Sequence, residues 1–449
     1  MLSAITIQNF KSYVSAKLPL SPLTVLIGAN ASGKSNAIEA MRLLAWMAQG
    51  QKLSAIQYAV QNGDRFVRGN IKDLGYCGSS LFELGCENKS ETYNSYKIQI
   101  ERRIDGLHIV EEELTSNHTT VPLYRLEHPS IGQGTDVSVS YDNFARGGKK
   151  PKIVCNDQLA ILTQLTSPAT FNSEHKQSRR LIPRYTKHYE SLLSSMLFLD
   201  PVPAKMRDYT FPSDRILQSD GSNLSGVLFD LWNSEMDLED LLESENNIPV
   251  DLKPIQRDII SFIQSLPEQD ISKLSFIREP RGGVMVQLTE TFGDGERNYD
   301  ASLLSDGTLR VLAISAAMLS AIEGSIVVIE EIDNGVHPSR AKHLLEKIQQ
   351  IAEKRNIRVL LSTHNPALLD ALPDSAIPDV VFCYRSKENG SSQLIKLENI
   401  SDYPELIAQG TLGHLVTSGL LERFVKNHKS GLEKRNNALK WLSEISNRV

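Results

Sequence analysis

The sequence predicts an α/β fold: a mixed sheet with helices, joined by an antiparallel β subdomain and interrupted by an inserted, mostly helical lid. Three observations predict it. Residues 23–44, LTVLIGANASGKSNAIEAMRLL, pass from a buried-strand pattern through a Gly-rich turn into a helical pattern. Residues 326–329, IVVI, are followed by a helix-period segment and then by a second apolar run, Arg358 to Thr363, which is the order of a βαβ unit. Residues 81–117 alternate apolar and polar positions about a turn at Asp105-Gly106, as paired antiparallel strands do.

The chain has 449 residues, enough for two or three structural units. Its net charge of −6 argues against a generally basic surface and leaves room for a local basic patch. Cys77, Cys86, Cys155 and Cys383 are scattered without metal-ligand spacing, which fits reduced thiols in a cytoplasmic protein. The opening MLSAITIQNFKSY lacks a basic segment followed by an apolar one, and no apolar run approaches a membrane span, so we expect neither a leader nor a membrane partner.

Gly28-Ala29-Asn30-Ala31-Ser32-Gly33-Lys34-Ser35 fits G-x-x-x-x-G-K-[ST] at every fixed position. The glycines let the backbone curl so that successive N–H groups point at phosphate oxygens, and the following helix adds its positive end. Lys34 supplies a cation for the outer phosphates and Ser35 a hydroxyl for Mg²⁺. Ala37, Ala40, Met41, Leu44 and Ala48 recur at helical spacing, as a helix packed on a sheet requires.

The second constellation lies far downstream. The run Ile326 to Ile329 reads as a fully buried parallel strand, and it delivers Glu330-Glu331 to the sheet edge where ligands bind in open α/β folds. Adjacent strand residues point to opposite sides, so the acids divide the work: Glu330 in the Mg²⁺ shell, Glu331 orienting or deprotonating an attacking water. Leu304-Ser305-Asp306-Gly307-Thr308 opens a helix of small and apolar residues, with Ser305 either an ordinary cap or part of a second anion site. A helix starting near Pro338 buries Ala341, Leu344, Leu345, Ile348 and Ile351, and the strand after it brings His364 to the edge that carries Glu331. There His364 is expected to contact the outermost phosphate.

Taken together these stretches resemble the ABC-type ATPase heads of the RecF/SMC-like superfamily, and specifically the compact, coiled-coil-free "AAA-type" subgroup found in bacterial anti-phage operons. Gly28 to Ser35 matches the Walker A loop, Leu304 to Thr308 the signature motif, and Ile326 to Glu331 Walker B plus the catalytic Glu. Asp333-Asn334-Gly335 falls at the D-loop and His364 at the switch histidine. Lys11 and Ser12, after the first strand, match positions near the nucleotide; Asn30, Gly33 and Asn36 join Lys34 and Ser35 in the same nucleotide-binding set. The resemblance implies ATP and Mg²⁺ as cofactors. It also implies that two copies meet head-to-tail with ATP between Lys34 of one and the signature residues Ser305 and Gly307 of the other. Three departures stand out: Glu330 replaces the usual Asp, the signature reads Ser-Asp-Gly-Thr, and the Q-loop glutamine has only Gln57 and Gln61 as candidates.

The expected organisation is an ATPase head built from residues 1–139 and 270–425, an inserted lid at 140–269, and a helical tail at 426–449. No sustained heptads fill the interval of about 270 residues between Lys34 and Ser305, so no long coiled-coil arm is expected. Residues 175–189, HKQSRRLIPRYTKHY, mix five Lys/Arg with two Tyr, which read as a solvated helix face or as a track for a nucleic-acid backbone. The leading expectation is an ATP-hydrolysing switch, a homodimer or higher assembly that controls a separate nuclease- or toxin-type effector in anti-phage defence. Two others stand beside it: a RecF-like DNA repair or maintenance ATPase, and an ATP-bound scaffold that sequesters a partner. A transporter ATPase and a hexameric AAA+ motor fit poorly, because the insert is long and Ser305-Asp306-Gly307 precedes Walker B.

Overall fold

The computed structural model describes residues 1–56, 67–132, 134–212, 215–233, 253–264, 271–292, 295–333, 338–400 and 403–426. The chain opens with a hairpin, β1 (Ala4–Phe10) and β2 (Tyr13–Pro19), followed by β3 (Leu23–Ile27) and α1 (Lys34–Ala48). Next come β4 (Leu81–Glu87), β5 (Ser95–Arg102), β6 (Leu107–Ser116), β7 (Thr119–His128), β8 (Asp136–Tyr141) and β9 (Lys152–Asn156). With the hairpin they make an eight-stranded sheet of order β2-β1-β4-β5-β6-β7-β8-β9, antiparallel throughout.

Helix α2 (Lys176–Ser194) leads into the short β10 (Leu197–Leu199), and α3 (Leu224–Asn233) and α4 (Pro254–Ile263) follow. A three-stranded meander, β11 (Ile271–Arg278), β12 (Val284–Phe292) and β13 (Gly295–Asp300), precedes α5 (Asp306–Ser320). The chain then alternates through β14 (Ile326–Ile329), α6 (Pro338–Lys354) and β15 (Arg358–Ser362), and ends its sheet with the hairpin β16 (Val381–Arg385) and β17 (Ser392–Lys396).

These late strands enclose an early one. The second large sheet has the order β10-β14-β15-β3-β16-β17, parallel except for its last pair. It is buried on both faces. Val25 and Ile27 of β3 face one apolar cluster and Leu26 the other; Val327 and Ile329 of β14 face the first, Ile326 and Val328 the second. That is why these strands read as continuous apolar runs rather than alternating ones. The α/β fold with an added antiparallel sheet is therefore as predicted.

Within the interval 140–269, expected as a mostly helical lid, the described residues include two strands that join the sheets of the head. β9 closes the antiparallel sheet, β10 pairs with β14, and α2 packs against α1. The three residues of β10 sit directly after a helix, too short a run to show a period of its own. The basic stretch on α2 splits by face. Tyr185 and Tyr189 are buried, the latter donating to Tyr93 O at 2.9 Å, so neither ring is presented for base stacking. Lys176, Arg180, Arg184 and Lys187 stay exposed along one side. Gln57, Gln61, Asn334 and Gly335 lie outside the described residues, as does the expected tail beyond Lys426.

A buried carboxyl ties the antiparallel sheet to the segment before α2. Glu112 on β6 accepts the N–H groups of Ile161 and Leu162, each at 2.7 Å, and the Tyr124 hydroxyl at 3.0 Å. Burial pushes this carboxyl up to about 7 even though all three donors favour its ionised form. The folded protein therefore binds this proton more tightly than the unfolded chain. Its stabilising contribution is full below the ordinary carboxylate range and is lost as pH rises through about 7. Glu112→Gln turns an NH₂ toward one of the two amides, at a cost of about 1–3 kcal/mol. Thermal melts from pH 5 to 8 should show the wild type losing stability as pH rises while the variant does not, so that the gap narrows.

Candidate active site

The turn between β3 and α1 takes the shape its glycines permit. Gly28 has φ +146° and Gly33 φ +123°, and a Cβ at either would stand 2.2 Å from Cys383 O or 2.3 Å from Ser392 Oγ. Glycine is thus required twice over, by dihedral and by space. The back of the loop is held by both ends of the chain. The Tyr13 hydroxyl donates to Gly33 O at 3.0 Å, and Ser392 Oγ lies 2.5 Å from Ser32 O and 2.8 Å from Ser12 Oγ. Asn36 donates to Ser12 Oγ at 2.7 Å and Arg385 to Ala31 O at 3.0 Å. Ser12 therefore stands behind the loop, where it supports Asn36.

In front of the loop is a cavity of about 550 Å³. Residues 29–36 form its floor, Lys11 and Arg68 one wall, and Glu330, Glu331 and His364 the other. Of the residues singled out in the sequence, Lys11, Asn30, Gly33, Lys34, Ser35, Asn36, Glu330, Glu331 and His364 thus share one space. Lys34 Nζ donates to Gly28 O at 2.5 Å and Ala29 O at 3.2 Å. Burial lowers its ammonium below the usual lysine range, against the pull of Cys383, Glu331 and Asp333.

Strand β14 ends at the two acids. Glu330 Oε1 pairs with Arg42 Nη2 at 2.6 Å, and the Arg42 guanidinium lies 5.2 Å from the centre of the Phe198 ring. Burial raises the Glu330 carboxyl and Arg42 opposes the shift. Glu331 sits at φ +48°, an uncommon conformation for a side-chain-bearing residue, and its N–H donates to Ser362 Oγ at 3.0 Å. The Asp333 side chain is covered, with Oδ2 3.5 Å from His364 Nδ1. Ser305 caps α5, accepting the Thr308 N–H at 3.1 Å, and neither Ser305 nor Gly307 lines the cavity.

Four residues at the site went unnoticed in the sequence. Buried Glu39 pairs with both Lys11 and the exposed Arg68. Arg42 engages Glu330, and Arg385 lines the cavity mouth. A readable signal existed for two of them. Glu39 and Arg42 are the charged residues inside α1 after Lys34, and a charge within a buried helix needs a partner.

A family model described as AAA domain, putative AbiEii toxin, Type IV TA system matches residues 23–370, most of the chain. The chain belongs to this family. The match runs from β3 through Walker A, signature and Walker B to just past His364. Among curated proteins, this AAA-domain chain is similar to the DNA replication and repair protein RecF of Leptospira interrogans serogroup Icterohaemorrhagiae serovar Lai (strain 56601). The two are 31% identical over 111 residues, 23% of this chain and 29% of RecF. The chain thus matches under a third of that relative's length. Among solved structures, it is similar to an SMC head bound to the C-winged helix domain of ScpA (14% identity, 88% of this chain and 96% of that one, TM-score 0.46). It is also similar to the SMC head domain from Thermotoga maritima (13%, 88% and 98%, TM-score 0.40). A third similar structure is an SMC head with an extended coiled coil bound to the C-terminal domain of ScpA, from Pyrococcus furiosus (12%, 91% and 99%, TM-score 0.42). The family match and the RecF relative place this AAA-domain protein among the RecF/SMC-like ABC-type ATPases that its ordered motifs predicted. Among the described residues, no helix is long and apolar enough to cross a membrane.

Proposed function

We propose that this protein binds and hydrolyses ATP in the 550 Å³ cavity, and that two copies close head-to-tail around the nucleotide to switch a separate effector. One observation carries the reading. The phosphate loop, both acids and His364 share one cavity, while Ser305 and Gly307 lie elsewhere, so a complete site needs the signature turn of a second copy. The loop amides and Lys34 hold the outer phosphates in place of the Gly28 and Ala29 carbonyls. Glu331 takes the proton of a water attacking the γ-phosphorus as the bond to ADP breaks, and His364, steadied by Asp333, donates to the departing phosphate.

The donors on the cavity wall suit Mg²⁺. Ser35 offers a hydroxyl and Glu330 a carboxylate, both hard oxygens, the sparse set of an ion that keeps its waters and uses substrate phosphates. When bound there it would draw charge from the phosphates. Arg42 holds Glu330 through the 2.6 Å ion pair.

The effector in this proposal is of toxin or nuclease type and acts in anti-phage defence in the cytoplasm; the family's description, which names a toxin–antitoxin system, supports the toxin association alone. The DNA-dependent alternative has one observation in its favour, the exposed cations Lys176, Arg180, Arg184 and Lys187 along α2. Phosphate release from ATP, with and without linear or closed-circular DNA and with Lys34→Ala as the blank, separates them. We expect slow turnover that DNA leaves unchanged within about twofold; stimulation of roughly tenfold or more would replace the effector switch with the DNA reading.

A further inference from the structure

The signature turn of this chain carries a carboxylate, Asp306, between Ser305 and Gly307. A fixed negative charge beside a phosphate-binding turn opposes its ligand. The structure supplies an answer from an unrelated part of the chain. Arg207 Nη2 pairs with Asp306 Oδ1 at 2.5 Å, and its Nη1 lies 2.6 Å from Leu304 O, 3.2 Å from Ser302 O and 3.4 Å from Ala301 O. One guanidinium therefore grips the turn on both sides of Ser305. It sets a positive charge against the carboxylate and holds three carbonyls at the start of the turn.

The base of Arg207 is rigid. Its segment begins at β10, beside Walker B, where Glu330 N–H donates to Leu199 O at 3.0 Å. Asp200 and Val202 donate to Ser219 O at 2.8 Å and Asp220 O at 2.9 Å. Beyond Arg207, Thr210 exchanges backbone hydrogen bonds with Val284 at 3.0 and 2.8 Å, and its hydroxyl accepts the Gly226 N–H at 2.7 Å. Met206, next to the arginine, is buried. A side chain held on such a strut has little freedom to lose when it forms its contacts.

We infer that Arg207 is a positioning residue for nucleotide held by a second copy of this chain: it neutralises Asp306 and presents Ser305 and the amides of the α5 N-terminus to that copy's γ-phosphate. This rests on the head-to-tail reading and adds to it a residue no motif contains. It also gives the turn a mechanical link to the strand that bears Glu330, through β10.

The test uses full-length protein in a Glu331→Gln background, with ATP-driven self-association followed by light scattering and nucleotide affinity by a fluorescent ATP analogue. Arg207→Met should weaken ATP-driven association at least about tenfold while changing the monomer's nucleotide Kd by less than about twofold, because its own phosphate loop is untouched. Asp306→Asn alone should associate like the parent. The pair Arg207→Met with Asp306→Asn should recover most of the loss, which a merely structural role for Arg207 would not produce. Association by Arg207→Met equal to the parent's overturns the inference, and so does a double variant as weak as the single. If the Glu331→Gln parent itself stays monomeric with ATP, the head-to-tail reading fails first and takes this inference with it.

Discussion

Glu331→Gln is expected to bind ATP as the wild type does, to lose turnover by roughly 10²–10⁴-fold, and to accumulate as an ATP-bound dimer. The substitution keeps shape and length, so the residue can hold φ +48° and the N–H bond to Ser362. What it removes is the oxygen able to take a proton from water. If closure depends on the γ-phosphate and opening on its departure, a chain that binds without cleaving stays closed. Phosphate release and light scattering, each with ATP and with ADP, read the two effects separately. Unchanged turnover would move the base to another group and dismiss Glu331 from the mechanism. A monomer with ATP would remove the dimer.

The second large effect is at Lys34. In the free protein its ammonium bridges the carbonyls of Gly28 and Ala29 across the mouth of the loop. Lys34→Ala deletes the cation that, on the proposed function, exchanges those carbonyls for phosphate oxygens. Truncating one member of a hydrogen-bonded charge pair costs about 2–5 kcal/mol, which weakens nucleotide binding by roughly 30-fold to several-thousand-fold. The fold should survive, since the glycines, Tyr13 and Ser392 shape the loop independently of this side chain. A titration with a fluorescent ATP analogue, beside a thermal melt, checks both halves. An unchanged Kd in a stable variant would put the nucleotide outside this cavity.

The contrast between what the sequence revealed and what it concealed follows from chain distance. The loop from Gly28 to Ser35, the acids after β14 and the histidine after β15 each belong to a strand-to-helix or strand-end pattern within a dozen or so residues. Local periodicity and turn chemistry suffice to read them. The roles of Arg42, Arg68, Arg385 and Ser392 depend on tertiary neighbours. Arg42 finds Glu330 288 positions away, and Ser392 finds Ser32 360 positions away. No spacing rule reaches so far. The same limit hid β10, a strand only because β14 lies beside it, and it hid Arg207, whose partner Asp306 is 99 positions distant. The same limit applies within the interval 140–269, where the described β9 and β10 pair with strands that begin outside it.

The arrangement around β3 carries a consequence for the birth of the molecule. Its flanking strands, β15 and β16, and the Ser392 that braces the loop, are all made more than three hundred residues after it. A ribosome that has translated the Walker A residues has not yet built the place they occupy, for the backbone has nothing to press Gly28 and Gly33 into their unusual angles. Such distant pairing is also slow to form. The cavity in front of the loop is therefore complete only once the late strands and the closing hairpin have docked beside β3.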